Sequence, residues 1–177
     1  MSCDVTNVHP VTIEAIIAVE SGGNPLAINV NGVRFQPPHP RTAAEAVATA
    51  GRFITAGYTV DMGLMQVNSA NLAGLGSTVA EQFEAGSCTN IRLGATILSA
   101  AYERALTLAP SGQPALRIAL SYYNTGNATK GFANGYVARY YGHTLSVPAL
   151  RVTLAATTRR AVSINPYTAD ATVWFAN

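Results

Sequence analysis

Between Thr12 and Glu20 the apolar positions Ile13, Ile16 and Ile17 recur at helical spacing. Glu20 falls on the same face, seven residues after Ile13 and four after Ile16. The pattern predicts a helix capped by Thr12 and places a carboxylate where a core residue is called for. Ser21-Gly22-Gly23-Asn24-Pro25 then supplies the residues that end a helix, so Glu20 lies at its C-terminus. The next segment reads Ala27-Ile28-Asn29-Val30, Asn31-Gly32, Val33-Arg34-Phe35, two short β-forming runs around an Asn-Gly turn, and predicts a small hairpin. Pro37-Pro38-His39-Pro40 is irregular. Thr42 and Glu45 form a capping box for a helix running to about Gly57, with Val47, Ala50 and Ile54 facing inward. Short helices are expected from Ser69 and from Thr78, the second with Thr78 and Glu81 as another capping box.

The longest helix is expected from about Thr89 to Leu108, because Ile91, Ala95, Leu98, Tyr102, Ala105 and Leu106 keep a helical spacing. It should be the buried central rod. After Pro110-Ser111-Gly112, Pro114 suits a first helical turn, and Leu116, Ala119, Leu120 and Tyr123 form the inward stripe of the next helix. Asn124-Thr125-Gly126-Asn127 ends it, and a further helix is expected around Gly131 to Tyr141. Beyond Thr144 the pattern weakens. Residues 147–162 can be read as a helix of moderate propensity, and Trp174 and Phe175 take no assignment. The chain shows no internal repeat.

Composition narrows the class. A chain of 177 residues is the size of one ordinary domain. Its 49% hydrophobic and 11% charged residues exclude disorder. The net charge of +2, without a lysine or arginine cluster, gives no footprint for nucleic acid. No stretch approaches the roughly 18 apolar residues of a membrane span, and the N-terminus lacks the basic-then-apolar layout of a secretory signal. Cys3 and Cys88 are too few for a common zinc site and leave either one disulfide or two thiols. His9, His39 and His143 have no paired spacing and read as loop residues, so no metal and no cofactor is expected.

Most of the nine carboxylates have ordinary explanations. Glu14 lies in a first helical turn, Glu45 and Glu81 complete capping boxes, Glu103 sits off the inner stripe, Glu84 is in a loop, and Asp4 and Asp170 are near the termini. Glu20 and Asp61 remain. Desolvation on a core-facing position and the negative end of its helix both disfavour ionisation of Glu20, as a general acid at neutral pH requires. The competing reading is a glutamate that bends to solvent at a frayed helix end. Asp61, before the run Met62-Gly63-Leu64-Met65-Gln66, reads as a turn residue or an electrostatic helper.

Three separated segments carry a resemblance: Glu20-Ser21-Gly22-Gly23-Asn24-Pro25, Gly63-Leu64-Met65-Gln66-Val67-Asn68, and Ala119-Leu120-Ser121-Tyr122-Tyr123-Asn124-Thr125-Gly126. Together they resemble the lysozyme-like lytic transglycosylases. With Ala56-Gly57-Tyr58-Thr59-Val60-Asp61 leading into the second segment, they are most similar to the VirB1-type subfamily of type IV secretion and conjugation systems. The likeness runs from about Val11 to Tyr141. It implies an α+β, mainly α, lysozyme-like fold with a central buried helix and a small β-hairpin near the cleft. Residues 1–143 would be the catalytic domain and 144–177 a C-terminal extension, partly helical or poorly ordered.

The resemblance also implies roles. Glu20 would be the single catalytic acid and Ser21 its orienting neighbour. Met65, Gln66 and Asn68 would line the glycan cleft, and Tyr123 and Asn124 would bring a phenol and an amide close to the acid. For Tyr123 the alternative is core packing, and for Gln66 a turn residue satisfying backbone groups. Where family members often carry Ala-Tyr-Asn-Ala-Gly, this chain has Thr125 after the asparagine. The implied activity is cleavage of the MurNAc-GlcNAc linkage of peptidoglycan with formation of 1,6-anhydro-MurNAc, in the periplasm. Type IV secretion components would be partners, and a monomer is expected. Export favours the Cys3–Cys88 bridge, and a mature or trimmed form is then expected, since the chain begins almost at Cys3. The alternatives are a hydrolytic muramidase, which would add water, and a wall-binding assembly protein that holds glycan without cutting it.

Overall fold

The computed structural model describes residues 3–5, 7–142 and 148. The fold is α+β and mainly helical: α1 (Pro10–Glu20), β1 (Ile28–Val30), α2 (Ala43–Thr55), β2 (Val60–Met62), β3 (Val67–Asn68), α3 (Cys88–Leu106), α4 (Gln113–Thr125) and α5 (Lys130–Ala133). Short 3-10 turns cover Ser69–Asn71, Ala73–Leu75, Ala80–Phe83 and Val137–Tyr140. Among the described residues no helix is long and apolar enough to cross a membrane. His143 and residues 149–177, with Trp174 and Phe175 among them, lie outside the described residues, as does the helix expected over 147–162 apart from Pro148. Contacts divide the rest into two units, one of residues 3–5 and 13–95, the other of 7–12 and 96–142.

In the first unit α1 buries Ile13, Ala15 and Ile16. Its start differs from the sequence expectation. Pro10 occupies the first helical turn, and His9 is the cap: its Nδ1 accepts from the Val11 N–H at 3.2 Å, and its carbonyl accepts from the Thr12 N–H at 2.9 Å. Thr12 is buried inside the helix, and its hydroxyl finds no hydrogen-bond partner among the described residues. Proline at a first turn lacks an N–H that would need a partner, which moves the helix start ahead of the threonine.

The three-stranded antiparallel sheet has the order β1-β2-β3. The hairpin expected across Asn31-Gly32 does not form. Ile28, Asn29 and Val30 pair instead with Met62, Asp61 and Val60. This register buries Val30, Val60 and Met62, whereas Phe35 in the rejected partner segment is 77% exposed, so burial outweighs the local turn signal. The side-chain amide of Gln36 covers the edge of β1, donating to the Val30 carbonyl and accepting from the Val30 N–H, both at 2.8 Å. The tight hairpin of the sheet is β2–β3, closed by Gly63-Leu64-Met65-Gln66.

Helix α2 is capped as expected, with Thr42 Oγ1 accepting from the Glu45 N–H at 3.1 Å. Glu45 reaches back to the Arg41 N–H at 2.8 Å. Its buried line is Ala46 and Ala50, with Val47 and Ile54 at the half-buried flank. The Thr78–Glu81 box is reciprocal, Thr78 N–H donating to Glu81 at 2.7 Å and Glu81 N–H to Thr78 Oγ1 at 3.4 Å, but it opens a single 3-10 turn. The Thr78 N–H, then the hydroxyls of Ser77 and Thr78, hold the Glu81 carboxyl below its ordinary value of 4.5. Such a group adds stability that is complete above the unfolded value and is lost as pH falls through the lower folded value. Glu81→Gln is therefore expected to flatten the decline of melting temperature below about pH 4.5. Equal acid-side slopes in thermal melts of the two proteins would count against this.

Cys3 and Cys88 are bridged, joining residues 85 apart in sequence and fixing residues 3–5 to the first turn of α3. In the second unit the later part of α3 buries Leu98, Tyr102 and Ala105 of the expected stripe, with Ala101 beside them, while Leu106 at the helix end is half-buried. The Tyr102 hydroxyl accepts from the Gly112 N–H at 2.9 Å, ahead of α4. Helix α4 buries Leu116, Ala119 and Leu120 and ends at Gly126, which adopts φ 66°. The helix expected over residues 131–141 is broken into α5 and the Val137–Tyr140 turn. Gly135 takes φ 78° between them, and Asn134 Oδ1 accepts from the Tyr136 N–H at 3.0 Å.

Candidate active site

Glu20 is the last residue of α1, half-buried on the face that carries Ile13 and Ile16. The Ser21–Asn24 stop fixes where its side chain starts. Ser21 N–H continues the helical ladder to the Ile17 carbonyl at 3.1 Å, and the Ser21 hydroxyl donates to that same carbonyl at 3.1 Å while accepting from the Gly23 N–H at 3.3 Å. Gly22 and Gly23 both take left-handed conformations, φ 60° and 82°, which two successive larger residues would resist. Asn24 completes the stop by accepting from the Leu26 N–H at 2.9 Å through its side chain. Ser21 thus braces the helix end from which Glu20 projects.

The second motif forms the β2–β3 connection. Gly63 adopts φ 71° and Gln66 φ 47°, the latter uncommon for a residue with a side chain. The Gln66 amide donates to the Gly63 carbonyl at 2.9 Å and to the Ala27 carbonyl at 3.3 Å. Its nitrogen therefore holds the turn together and leaves the amide oxygen as its acceptor. Met65 is fully buried, its side chain fitted against Gly94 of α3, where an added Cβ would stand 2.5 Å from Met65 Cβ. Asn68 is half-buried; its amide donates to Asp61 Oδ1 at 2.6 Å, and its oxygen caps the Ala70 N–H at 2.9 Å.

Asp61 has a more structured setting than a turn residue. Its other oxygen accepts from the side-chain amides of Asn29 at 3.1 Å and Asn31 at 3.0 Å. Asn29, Asp61 and Asn68 are cross-strand partners in register, so one face of the sheet carries a carboxylate held by three asparagine amides. Sequence reasoning passes over Asn29 and Asn31. Their signal is weak: alternating asparagines in a short strand and its turn.

Two more residues escape the sequence reading. Asn90 and Gln82 are both fully buried, and Asn90 grips the loop on either side of Gly63 through the Met62 carbonyl and the Met65 N–H. Asn90 has a legible sign, a polar side chain beside Ile91 on the inner stripe of a helix.

Tyr123 and Asn124 lie on the last turn of α4 in the second unit, Tyr123 half-buried and Asn124 exposed. The Asn124 side-chain oxygen accepts from Asn134 at 2.9 Å. Tyr122 packs under Arg104, whose guanidinium lies 4.2 Å from the ring centre. The Thr125 hydroxyl donates to the Ser121 carbonyl at 2.7 Å and accepts from the Asn127 N–H at 3.2 Å. That departure from the family pattern thus serves the helix end. Ser121 is fully buried, bonding Asn127 and the Gly131 N–H, and a Cβ on Gly131 would approach its Cα to 2.6 Å.

The family model described as the Transglycosylase SLT domain matches residues 3–144. The type IV secretion system protein virB1 of Brucella suis biovar 1 is 43% identical over 126 residues, covering 71% of this chain and 52% of that protein. Protein virB1 of Agrobacterium fabrum is 38% identical over 133 residues, covering 75% and 53%. Protein virB1 of Rhizobium radiobacter is 39% identical over 140 residues, covering 78% and 57%. The chain spans about half the length of the curated relatives it matches. No solved structure matches it.

Proposed function

This chain belongs to the transglycosylase SLT domain family, and from that premise we propose that it is a peptidoglycan lytic transglycosylase acting in the periplasm for a type IV secretion or conjugation apparatus. The observation that carries the reading is Glu20, a half-buried carboxyl at the end of a core-facing helical stripe, braced by Ser21 and followed by two left-handed glycines. Such a group can hold a proton until a leaving oxygen arrives.

In the proposed reaction the Glu20 carboxyl protonates the oxygen joining MurNAc C1 to the next GlcNAc, and the C1–O bond breaks. The substrate's own N-acetyl group supports the sugar cation. The Glu20 carboxylate then takes the proton of the MurNAc C6 hydroxyl, whose oxygen bonds to C1. The acid is regenerated, the product is a 1,6-anhydro sugar, and no water is consumed. One carboxyl serves both steps, where most glycosidases use two.

Gln66 and Asn68 would meet the glycan through the faces their internal hydrogen bonds leave, and Tyr123 and Asn124 would supply a phenol and an amide. Met65 is better suited to support the loop from the core than to touch sugar, since it is fully buried. The virB1 relatives named for type IV secretion support the apparatus as the setting.

Digestion of purified wall sacculi with subsequent mass analysis is the test. Anhydro-ended fragments, lighter by one water than reducing-ended ones, are expected. Reducing ends alone would make the protein a muramidase, and wall binding without release of fragments would make it an assembly factor.

A further inference from the structure

The loop Gly63-Leu64-Met65-Gln66 carries left-handed residues at both ends, and a glutamine at φ 47° persists only where its surroundings over-determine it. Those surroundings centre on Asn90, in the first turn of α3 and 0% exposed. Its Oδ1 accepts from the Met65 N–H at 2.8 Å, and its Nδ2 donates to the Met62 carbonyl at 2.8 Å and to Gln82 Oε1 at 3.0 Å. Gln82, equally buried, is fixed in turn by Ser77 Oγ at 3.0 Å and the Thr78 carbonyl at 3.3 Å. Ser77 donates to Glu81 at 2.8 Å, so the chain of amides ends in the Thr78–Glu81 box.

Sterics tighten the same contact. A Cβ on Gly63 would lie 2.7 Å from Asn90 Cγ, and one on Gly94, a helical turn beyond Asn90, 2.5 Å from Met65 Cβ. Helix α3 therefore meets the loop where larger side chains do not fit. A buried amide is costly to desolvate unless all its groups are satisfied, and a hydrophobic residue would fill the same volume without that cost. What an apolar residue cannot do is define the loop's backbone by bonding one carbonyl before Gly63 and one N–H after it.

We infer that Asn90 is a positioning residue for the proposed reaction: through the backbone of Met62 and Met65 it fixes the strained loop that presents Gln66 to the glycan. The inference rests on the assignment of that loop to the cleft. Asn90 touches no substrate, and its contribution is orientation, where a small misplacement lowers turnover without changing which group gives the proton.

The test compares the full chain with Asn90→Ala and Asn90→Asp, reading kcat and KM on wall sacculi, together with amide hydrogen exchange at Met65 and Gln66. Asn90→Ala is expected to lose exchange protection at Met65 and to lower kcat per folded molecule by roughly tenfold to a hundredfold, with the shape of the kcat pH profile kept. Aspartate with a neutral carboxyl retains the acceptor and one donor, so the ratio of Asn90→Asp to parent kcat should climb toward one as pH falls. A residue that serves only the core would lower the melting temperature and leave kcat per folded molecule within about twofold of the parent. That outcome overturns the inference. Should Asn90→Ala fail to fold, Gln82→Met removes the outer support alone and is expected to give a smaller kcat loss of the same kind; no loss overturns the inference. If the parent releases no glycan fragments, the proposed reaction itself falls. Asn90 is then read by titrating a chito-oligosaccharide, where binding about tenfold weaker in Asn90→Asp at neutral pH supports positioning and unchanged binding overturns it.

Discussion

Replacing Glu20 by glutamine is expected to lower turnover on wall sacculi by about a thousandfold or more while the melting temperature holds or rises. The size follows from the chemistry. General acid-base help is worth roughly 10²- to 10⁴-fold for one proton transfer, and here the same carboxyl serves both the departure of the sugar oxygen and the closure of the anhydro ring. A thousandfold loss is about 4 kcal/mol of barrier, far beyond what a misplaced but intact acid would lose. The sign on stability is opposite. Glu20 is the last residue of α1, where the negative end of the helix meets any charge on its carboxyl, and the amide keeps the shape without that charge. A functional group held against local preference gains stability when removed; a structural one loses it. Sacculus digestion and a thermal melt on one preparation separate the cases. A variant that melts lower and still lyses wall would show that Glu20 supports the fold and that another group carries the proton.

Features set by local spacing are visible in the chain before any coordinates. The stripe Ile91, Ala95, Leu98, Tyr102, Ala105 and Leu106 marks α3 as the buried rod; the first five are buried and Leu106, its last residue, is half-buried. Thr42 with Glu45 and Thr78 with Glu81 mark their turns because a capping box lies within four residues. Glu20 stands out for the same local reason. Features set by distant partners are not visible. Val33-Arg34-Phe35 is as good a strand as Val60-Asp61-Met62 by composition, and only the burial gained beside Ile28 and Val30 selects the second. The break between α5 and the Val137–Tyr140 turn depends on Gly135 adopting φ 78°, which a helical reading of the same residues passes over. Gln66 reads either as a cleft group or as a turn residue satisfying backbone groups, and the two hydrogen bonds of its amide nitrogen, to the Gly63 and Ala27 carbonyls, are those of the second reading. Asn90 bonds Met65 and Met62, 25 and 28 residues away, so its role is not set by its own segment. The site's chemistry is thus legible where one segment carries it, and its support is not, because support is made between segments.

Opening the Cys3–Cys88 bridge is expected to cost about 4 to 5 kcal/mol of stability. The two residues lie 85 apart, and the chain-entropy relation for a loop of that length gives roughly 4.6 kcal/mol at 25 °C. For a chain of this size each kcal/mol moves the midpoint by roughly 2 to 4 °C, so the melting temperature should fall by roughly 10 to 20 °C. The loss should begin at one end of the helix. Cys88 begins α3, two residues before Asn90, and the bridge holds that first turn to residues 3–5. Fraying there should reach the Asn90 grip on Met62 and Met65 before it reaches the buried middle of the helix. Hydrogen exchange in the reduced protein is therefore expected to rise first at Met65 and Ile91 and last at Leu98 and Tyr102. Thermal melts of the oxidised protein, the reduced protein and Cys3→Ser/Cys88→Ser check the magnitude, and the last two should coincide. A midpoint that moves by less than about 2 °C would mean that the unfolded chain gains little freedom when the bridge opens, contrary to the loop-closure account.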